Sequence, residues 1–356
     1  MPALTLQHVD GIAVITIDLP GEPVNKVTAG LRAELAGMFS QLEGDTGVKS
    51  IVLLSGKPDT WLAGADIDEF LTLESAADAE ALSRGGQSLL ARLEGLKIPV
   101  VAAIHGACLG AGLETALACH YRIATDHPKT ILALPEVQLG LVPGAGGTQR
   151  LPRLIGLQLA LDMILTSRNV RAKKAYQTGL VDELVHPEIL RDIALDRARK
   201  LAARTLDVQH SPKSRGATNR LLEDNPIGRA IVFKKAREGV LAKTHGHYPA
   251  PLAAIGAVQA GYERGSEAGY REEARAFGEM AVSDVSKQLV FLFFATTSLK
   301  KDSGVSGPAP DAAPIATLGI IGSGFMGAGI ASVAVQQQTP VRLKDTDTTR
   351  VGRGLA

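Results

Sequence analysis

Two glutamates stand among residues that could carry chemistry. Glu114 lies in HGACLGAGLETALAC, residues 105–119, with small and apolar residues on both sides, and Glu136 follows Pro135 at the head of LPEVQLGLVPGAGGTQRLPRLIG, residues 134–156. Two carboxylates held near one another in an apolar site acquire separated pKa values, so one can serve as acid and the other as base. A third segment, WLAGADIDEF at 61–70, also places small residues where a strand meets a helix or loop. Glycines there allow close approach of a backbone or ligand and permit positive φ. GLVPGAGGTQ lacks the Lys-Ser/Thr that closes a Walker loop, so phosphate binding of that kind is a poor fit. Helix N-termini behind such segments carry unpaired backbone N–H groups. AGAD offers the N–H of Ala65, and GAGLE that of Ala111. Two such donors aimed at one point can hold a thioester oxygen as it gains negative charge, and the resulting enolate needs proton transfer at the neighbouring carbons. Each feature alone also has an ordinary reading: tight turns for the glycines, a helix-dipole partner for Glu114, a solvated loop for Glu136. Asp66 reads as the cap of the helix after AGAD.

The surrounding elements must bring these segments together. LTLQHV and IAVITIDL flank Asp10-Gly11, a strong hairpin signal. TAGLRAELAGMFSQLEGD follows as an amphipathic helix capped by Thr28, and SIVLLSG and IPVVAAIHG read as short buried strands with helical patterns between them. The class is therefore α/β with mixed strand directions. Residues 157–204 read as helical apart from GLVDELV, a strand, and 215–300 as mostly helix with a break near GHYPAPL. KDSGVSGPAPDAAP, 301–314, has linker composition, and the last 42 residues form a separate segment.

The totals narrow the function classes. The 356 residues, 45% hydrophobic and 21% charged, have ordinary globular composition, and a formal net charge of +1 supplies no electrostatic reason to expect nucleic acid or an anionic membrane. Two cysteines, Cys108 and Cys119, have no metal-ligand spacing and suit a reducing compartment, so no metal site and no disulfide framework are expected. The N-terminus alternates as a strand and lacks a basic signal region, and no run reaches the ~18 apolar residues of a membrane span. A cytoplasmic protein is the expectation.

Together, AGADI, GACLGAGLETALACHYRIA, PEVQLGLVPGAGGTQRLPRLIG and the later AYQTGLVDELV resemble the enoyl-CoA hydratase (crotonase) family in order and spacing. YPAPLAAIGAVQAGYERGSEAGYREEARAFGEM resembles the linker of multifunctional fatty-acid oxidation α-subunits, in which a hydratase/isomerase domain precedes a 3-hydroxyacyl-CoA dehydrogenase domain. The resemblance implies a crotonase (ClpP-like) spiral of ββα units at 1–205, a helical linker region at 206–300, a flexible linker at 301–314 and an incomplete Rossmann βαβ at 315–356. It implies Glu114 and Glu136 as the two catalytic glutamates that activate water for addition at C3, with Glu136 protonating C2, or shuttling a proton between C2 and C4 in isomerisation. The N–H groups of Ala65 and Ala111 match the oxyanion hole, and Ala63, Gly64, Asp66 and Ile67 would lie along the CoA. A CoA thioester is then the substrate, and no cofactor is needed for hydration. A thiolase β-subunit is the implied partner, with homo-oligomerisation open. One departure is Ala111, where relatives usually have glycine; alanine serves if its φ is negative. Thr115 is a second, where small apolar or aliphatic residues are common.

GIIGSGFMGAGIA holds Gly322, Gly324 and Gly327 in G-x-G-x-x-G spacing after an apolar strand, with Asp345 about 20 residues on. An acidic residue there favours NAD over NADP. The later residues of a dehydrogenase are absent from the chain, so the expectation is a fragment of a longer multifunctional protein, whose NAD binding the fingerprint would describe. QLVFLFFATTSL, 288–299, would pack on the core or, in the longer protein, face the dehydrogenase domain. Hydratase chemistry leads. A dehydrogenase role in the parent, another acyl-CoA reaction on the same fold and a scaffold role stand beside it.

Overall fold

The structure, a computed structural model, describes residues 2–208, 222–305, 307 and 313–355. Parts of the expected helical linker region (209–221) and of the expected flexible linker (306 and 308–312) lie outside them. The chain divides into two compact units, Met1–Thr296 and Thr297–Ala356.

The first unit begins with the hairpin of β1 (Leu4–Val9) and β2 (Ile12–Ile17). Asp10 and Gly11 both take positive φ, 49° and 79°, as a primed two-residue turn demands. Helix α1 (Ala29–Gly44) starts at Thr28, whose side chain accepts from the Leu31 N–H. Then strands come in pairs. β3 (Ser50–Ser55), β5 (Val100–Ile104) and β7 (Tyr121–Thr125) join one sheet, while their immediate successors β4 (Thr60–Leu62), β6 (Ala107–Leu109) and β8 (Ile131–Ala133) join another. The first sheet has the order β1-β2-β3-β5-β7-β10, with β10 at Glu183–Val185; the second has β4-β6-β8-β9, with β9 at Val170–Arg171. Between the pairs run α2 (Ile67–Phe70), α3 (Ala76–Glu94) and α4 (Ala111–Ala118). This is the expected crotonase spiral of ββα turns.

The inner strands β2, β3 and β5 of the first sheet are apolar on both faces, which explains their unalternating sequences. Ala13, Ile15, Ile51, Leu53, Ala102 and Ile104 face the main core. Their neighbours Val14, Val52, Val101 and Ile123 pack with Ala194, Leu195 and Ala198 of α8 (Leu190–Ala202) on the other side. Cys108 and Cys119 are buried free thiols. α5 (Gly147–Ile155), α6 (Leu157–Thr166) and α7 (Ala172–Thr178) complete the spiral.

Four longer helices follow: α9 (Pro226–Thr244), α10 (Pro249–Arg264), α11 (Ser266–Ala281) and α12 (Asp284–Lys301). α10 and α11 pack on each other and on α5, and α11 lies along α3. The junction is keyed by glycines: a Cβ on Gly269 or Gly261 would overlap the Gln149 amide, and one on Gly144 would sit 2.8 Å from the Phe277 ring. α12 buries Val290, while Phe291, Leu292 and Leu299 are exposed.

In the second unit β11 (Leu318–Ile321) pairs in parallel with β12 (Val341–Lys344) across α13 (Phe325–Gln336), followed by α14 (Thr348–Leu355). This is the expected βαβ. Among the described residues no helix is long and apolar enough to cross a membrane.

Candidate active site

The three glycine-rich segments meet. A Cβ added to Gly110 would lie 3.5 Å from the Gly64 Cα and 2.9 Å from Glu136 Oε1, so the segments at 61–70, 105–119 and 134–156 converge at one point. Gly110 caps α4 with φ 52°, taking the strained turn on a residue without a side chain. Ala111 is therefore free to start the helix with ordinary geometry, and it is absent from the five non-glycine residues with positive φ among those described. As the first helical residue, its N–H has no partner within the helix.

Ala65 is prepared differently. It forms a parallel bridge with Val27: Val27 donates to the Gly64 carbonyl at 2.8 Å and the Asp66 N–H donates to the Val27 carbonyl at 3.2 Å. A parallel bridge uses the flanking peptides, so the N–H of Ala65 itself points away from Val27. Both Ala65 and Ala111 line a cavity of about 140 Å³. Its walls are apolar, from Leu82, Leu89, Leu90, Leu139, Leu141 and Phe277, and Glu114 and Glu136 open into it.

The two carboxylates have unlike surroundings. Glu114 is 2% exposed, and its Oε1 accepts from the N–H of Ala145 at 2.8 Å and of Gly147 at 2.7 Å. Burial raises its pKa, while those two N–H groups and the charge of Arg150 hold the rise back. Glu136 Oε2 is shut off from solvent and has no hydrogen-bond partner in the protein. Burial, then the charge of Glu114, push its carboxyl well above the usual range. The arrangement separates a carboxyl whose upward shift is held back by two N–H donors from one shifted further up with no such donors at Oε2, the kind of difference an acid/base pair needs.

Of the residues expected along a CoA, Ala63, Gly64 and Ile67 line the cavity. Asp66 does not; it caps α2 by accepting from the Asp68 N–H at 3.4 Å, and it pairs with Lys26 at 3.3 Å. Gly322, Gly324, Gly327 and Asp345 belong to the second unit. There Gly322 has φ 97°, and a Cβ on Gly327 would overlap the Gly322 carbonyl, so strand and helix approach closely. Asp345 accepts from the Ser323 N–H at 2.6 Å and hydroxyl at 2.7 Å, and these bonds hold its carboxyl well below the ordinary range.

Residues 7–225 match the family described as enoyl-CoA hydratase/isomerase. The chain belongs to that family. A curated relative is the fatty acid oxidation complex subunit alpha of Idiomarina loihiensis, 49% identical over 337 residues, which are 94% of this chain and 47% of that protein. The chain thus spans about half the length of the curated relative it matches. Residues 317–356 match the NAD-binding domain of 3-hydroxyacyl-CoA dehydrogenase. Among solved structures, an enoyl-CoA hydratase from Bacillus anthracis aligns with TM-score 0.53 and 28% identity over 67% of this chain and 91% of that one. DspI of Pseudomonas aeruginosa aligns with TM-score 0.53 and 28% identity over 83% and 97%.

Reading the sequence passes over two residues of this member of the family. Asn25 is fully buried; its amide donates to the Ile17 carbonyl at 2.8 Å and to Ser55 Oγ at 2.9 Å, and its own carbonyl accepts from the Ala63 N–H at 2.7 Å. It thereby anchors the strand that leads to Ala65. Glu273 of α11 is fully buried as well and accepts four hydrogen bonds around the loop that holds Glu114. The available signal was helical spacing: Glu273 stands four residues from buried Gly269 and four from buried Phe277, on a face that should be apolar.

Proposed function

We propose that the first unit's cavity is the site at which this enoyl-CoA hydratase/isomerase adds water to a 2-enoyl-CoA, with Glu114 and Glu136 as its acid/base pair. The observation that carries this is the meeting, at one apolar cavity, of two carboxyl groups, Glu114 with two backbone donors at Oε1 and Glu136 with a shielded Oε2 that has none. The thioester oxygen lies against the N–H groups of Ala65 and Ala111. Glu114, acting as base, takes a proton from water as its oxygen bonds to C3. The π pair moves toward C2, and the developing enolate charge rests on the thioester oxygen between the two N–H groups. Glu136 gives its proton to C2, and passage of the new proton from Glu114 to Glu136 restores the starting state. With a 3-enoyl-CoA, the Glu136 carboxylate instead carries a proton between C2 and C4. The apolar walls exclude bulk water and strengthen each charge interaction.

The test follows loss of the conjugated thioester absorbance with short and long 2-enoyl-CoA, beside Glu136→Gln. The variant should fall by about 10²- to 10⁴-fold. Equal rates in the two proteins would remove Glu136 from the mechanism.

A second part of the reading concerns the longer relatives. The 317–356 match to an NAD-binding domain supports NAD as the cofactor of a 3-hydroxyacyl-CoA dehydrogenase step in a protein of that length, with Gly322, Gly324, Gly327 and Asp345 toward the dinucleotide. The matched relative is named as one subunit of a complex, which supports a partner subunit, and a thiolase β-subunit in a cytoplasmic setting is our reading of it. Copurification with such a subunit tests the partner.

A further inference from the structure

We infer that Glu273 is a positioning residue for hydration, orienting Glu114 through the loop that the two carboxylates share. This rests on the assignment of Glu114 and Glu136 as the acid/base pair. Four consecutive backbone N–H groups are divided between the two side chains. Those of Ala145 and Gly147 donate to Glu114 Oε1 at 2.8 and 2.7 Å; those of Gly146 and Thr148 donate to Glu273 at 2.6 and 3.0 Å. The four N–H groups belong to one short run of backbone, so fixing one pair constrains the direction of the other. Gly147 and Thr148 are also the first two residues of α5, where N–H groups lack helical partners and the helix dipole favours anions.

The clamp is closed from two further directions. The Thr148 hydroxyl donates to Glu273 at 2.5 Å while accepting from the Gln149 amide at 2.8 Å, and the Gln87 amide of α3 donates to Glu273 at 2.9 Å. Glu273 thus receives four hydrogen bonds and gives none, the pattern of an ionised carboxylate. Burial and the Glu114 charge work against that state, pushing its pKa up to about 8, and the bonds from Thr148 and Gln87 oppose the rise. The loop has little room to readjust: Gly146 sits at φ 106°, and a Cβ there would overlap the Arg150 guanidinium. Glu273 therefore links α11, which lies beyond the segment matching the hydratase family, to the geometry of the site within it.

The same charge bears on proton affinity. Glu136 faces Glu114 of α4 and Glu273 of α11, and Arg150 of α5, stacked on Tyr270, bears on Glu114. Removing the Glu273 charge should lower the Glu136 pKa and move the alkaline limb of hydration to lower pH.

The experiment compares Glu273→Gln and Glu273→Asp with the parent chain, measuring kcat and KM for a short 2-enoyl-CoA, the pH profile and the melting temperature. A glutamine presents NH₂ toward two of the four donors, so kcat should fall about tenfold or more as the Glu114 donors shift. KM should change by less than about threefold, since substrate contacts remain. Aspartate keeps the charge and should recover part of kcat and the parental alkaline limb. A Glu273→Gln protein with parental kcat and pH profile overturns the inference, as does a loss of activity that only tracks the unfolded fraction. If that variant does not fold, Thr148→Val removes one donor to Glu273, and the Gln149 amide that donated to that hydroxyl keeps its bond to the Ala257 carbonyl; a lower kcat at unchanged KM supports the clamp, and a parental kcat overturns it. A parent chain without hydratase activity, or a fully active Glu136→Gln, would instead defeat the assignment on which the clamp rests.

Discussion

Two strand-to-helix junctions in this molecule are built around glycine at positive φ, Gly110 before α4 and Gly322 before α13, and they differ in what surrounds them. A side chain at Gly110 would meet Glu136 and Gly64, and one at the neighbouring Gly112 would overlap the Leu62 carbonyl. At Gly322 and Gly324 a side chain would meet nothing within 4 Å, and Ile321 and Phe325 beside them are 91% and 94% exposed. The same local device serves a packed, apolar pocket in one unit and an open turn in the other. A glycine motif thus reports the local path of the chain, and packing around it decides whether a closed site results.

The largest effect that bears on this contrast is Glu136→Gln. Hydration should drop by about 10³-fold with the fold retained, because only the proton donor is removed. A folded variant with near-parental turnover would show that the packed junction does not serve proton transfer. Next comes Gly110→Ala, which imposes left-handed geometry on alanine and drives a methyl toward Glu136 Oε1. Strain and overpacking should cost about 1–3 kcal/mol, read as a lower denaturant midpoint, and hydration should fall at least about tenfold.

The third effect depends on pH. The Glu136 pKa is raised above 4.5, the ordinary glutamate value, so the folded chain binds a proton that the unfolded chain releases. The stability this proton supplies is fully present below the unfolded-state value and is lost as pH rises through the folded-state value. Glu136→Gln removes that dependence. Its melting-temperature advantage over the parent should grow from pH 5 to pH 8; an advantage independent of pH would mean that Glu136 titrates normally. The smallest effect is on the open side. Gly329 lies within α13 with nothing near an added Cβ, so Gly329→Ala should stabilise the second unit by at most about 1 kcal/mol and leave hydration unchanged. A destabilised variant would mean that this helix face is covered.

Local features were legible because their causes are local. The Asp10-Gly11 hairpin, the Thr28 cap and the Asp66 cap follow from the conformations and hydrogen bonds that two to four residues allow, and each occurs where the residue types require it. Strands β4, β6 and β8 were not legible, since three residues are too few to display a period of two. Without them the second sheet could not be assembled on paper. In the site, Glu114 and Glu136 drew attention because acids stood in apolar and glycine-rich company. Glu273 hid beside Glu272 in an ordinary charged helix, although only Glu273 is fully buried.

By itself the sequence determined the class of the fold, the path of the chain at its glycines and the identity of two acids in apolar company, for these depend on backbone sterics and short-range pattern. The tertiary structure alone decided that Ala111 carries a negative φ while Gly110 takes the strain, that Ala65 turns its N–H away from Val27, and that Glu273 from a distant helix grips the loop holding Glu114. The reason is physical: the charge state and aim of a buried carboxylate are set by the donors and charges packed within a few ångströms of it, and those come from residues far apart in the chain, for Glu273 more than a hundred positions away.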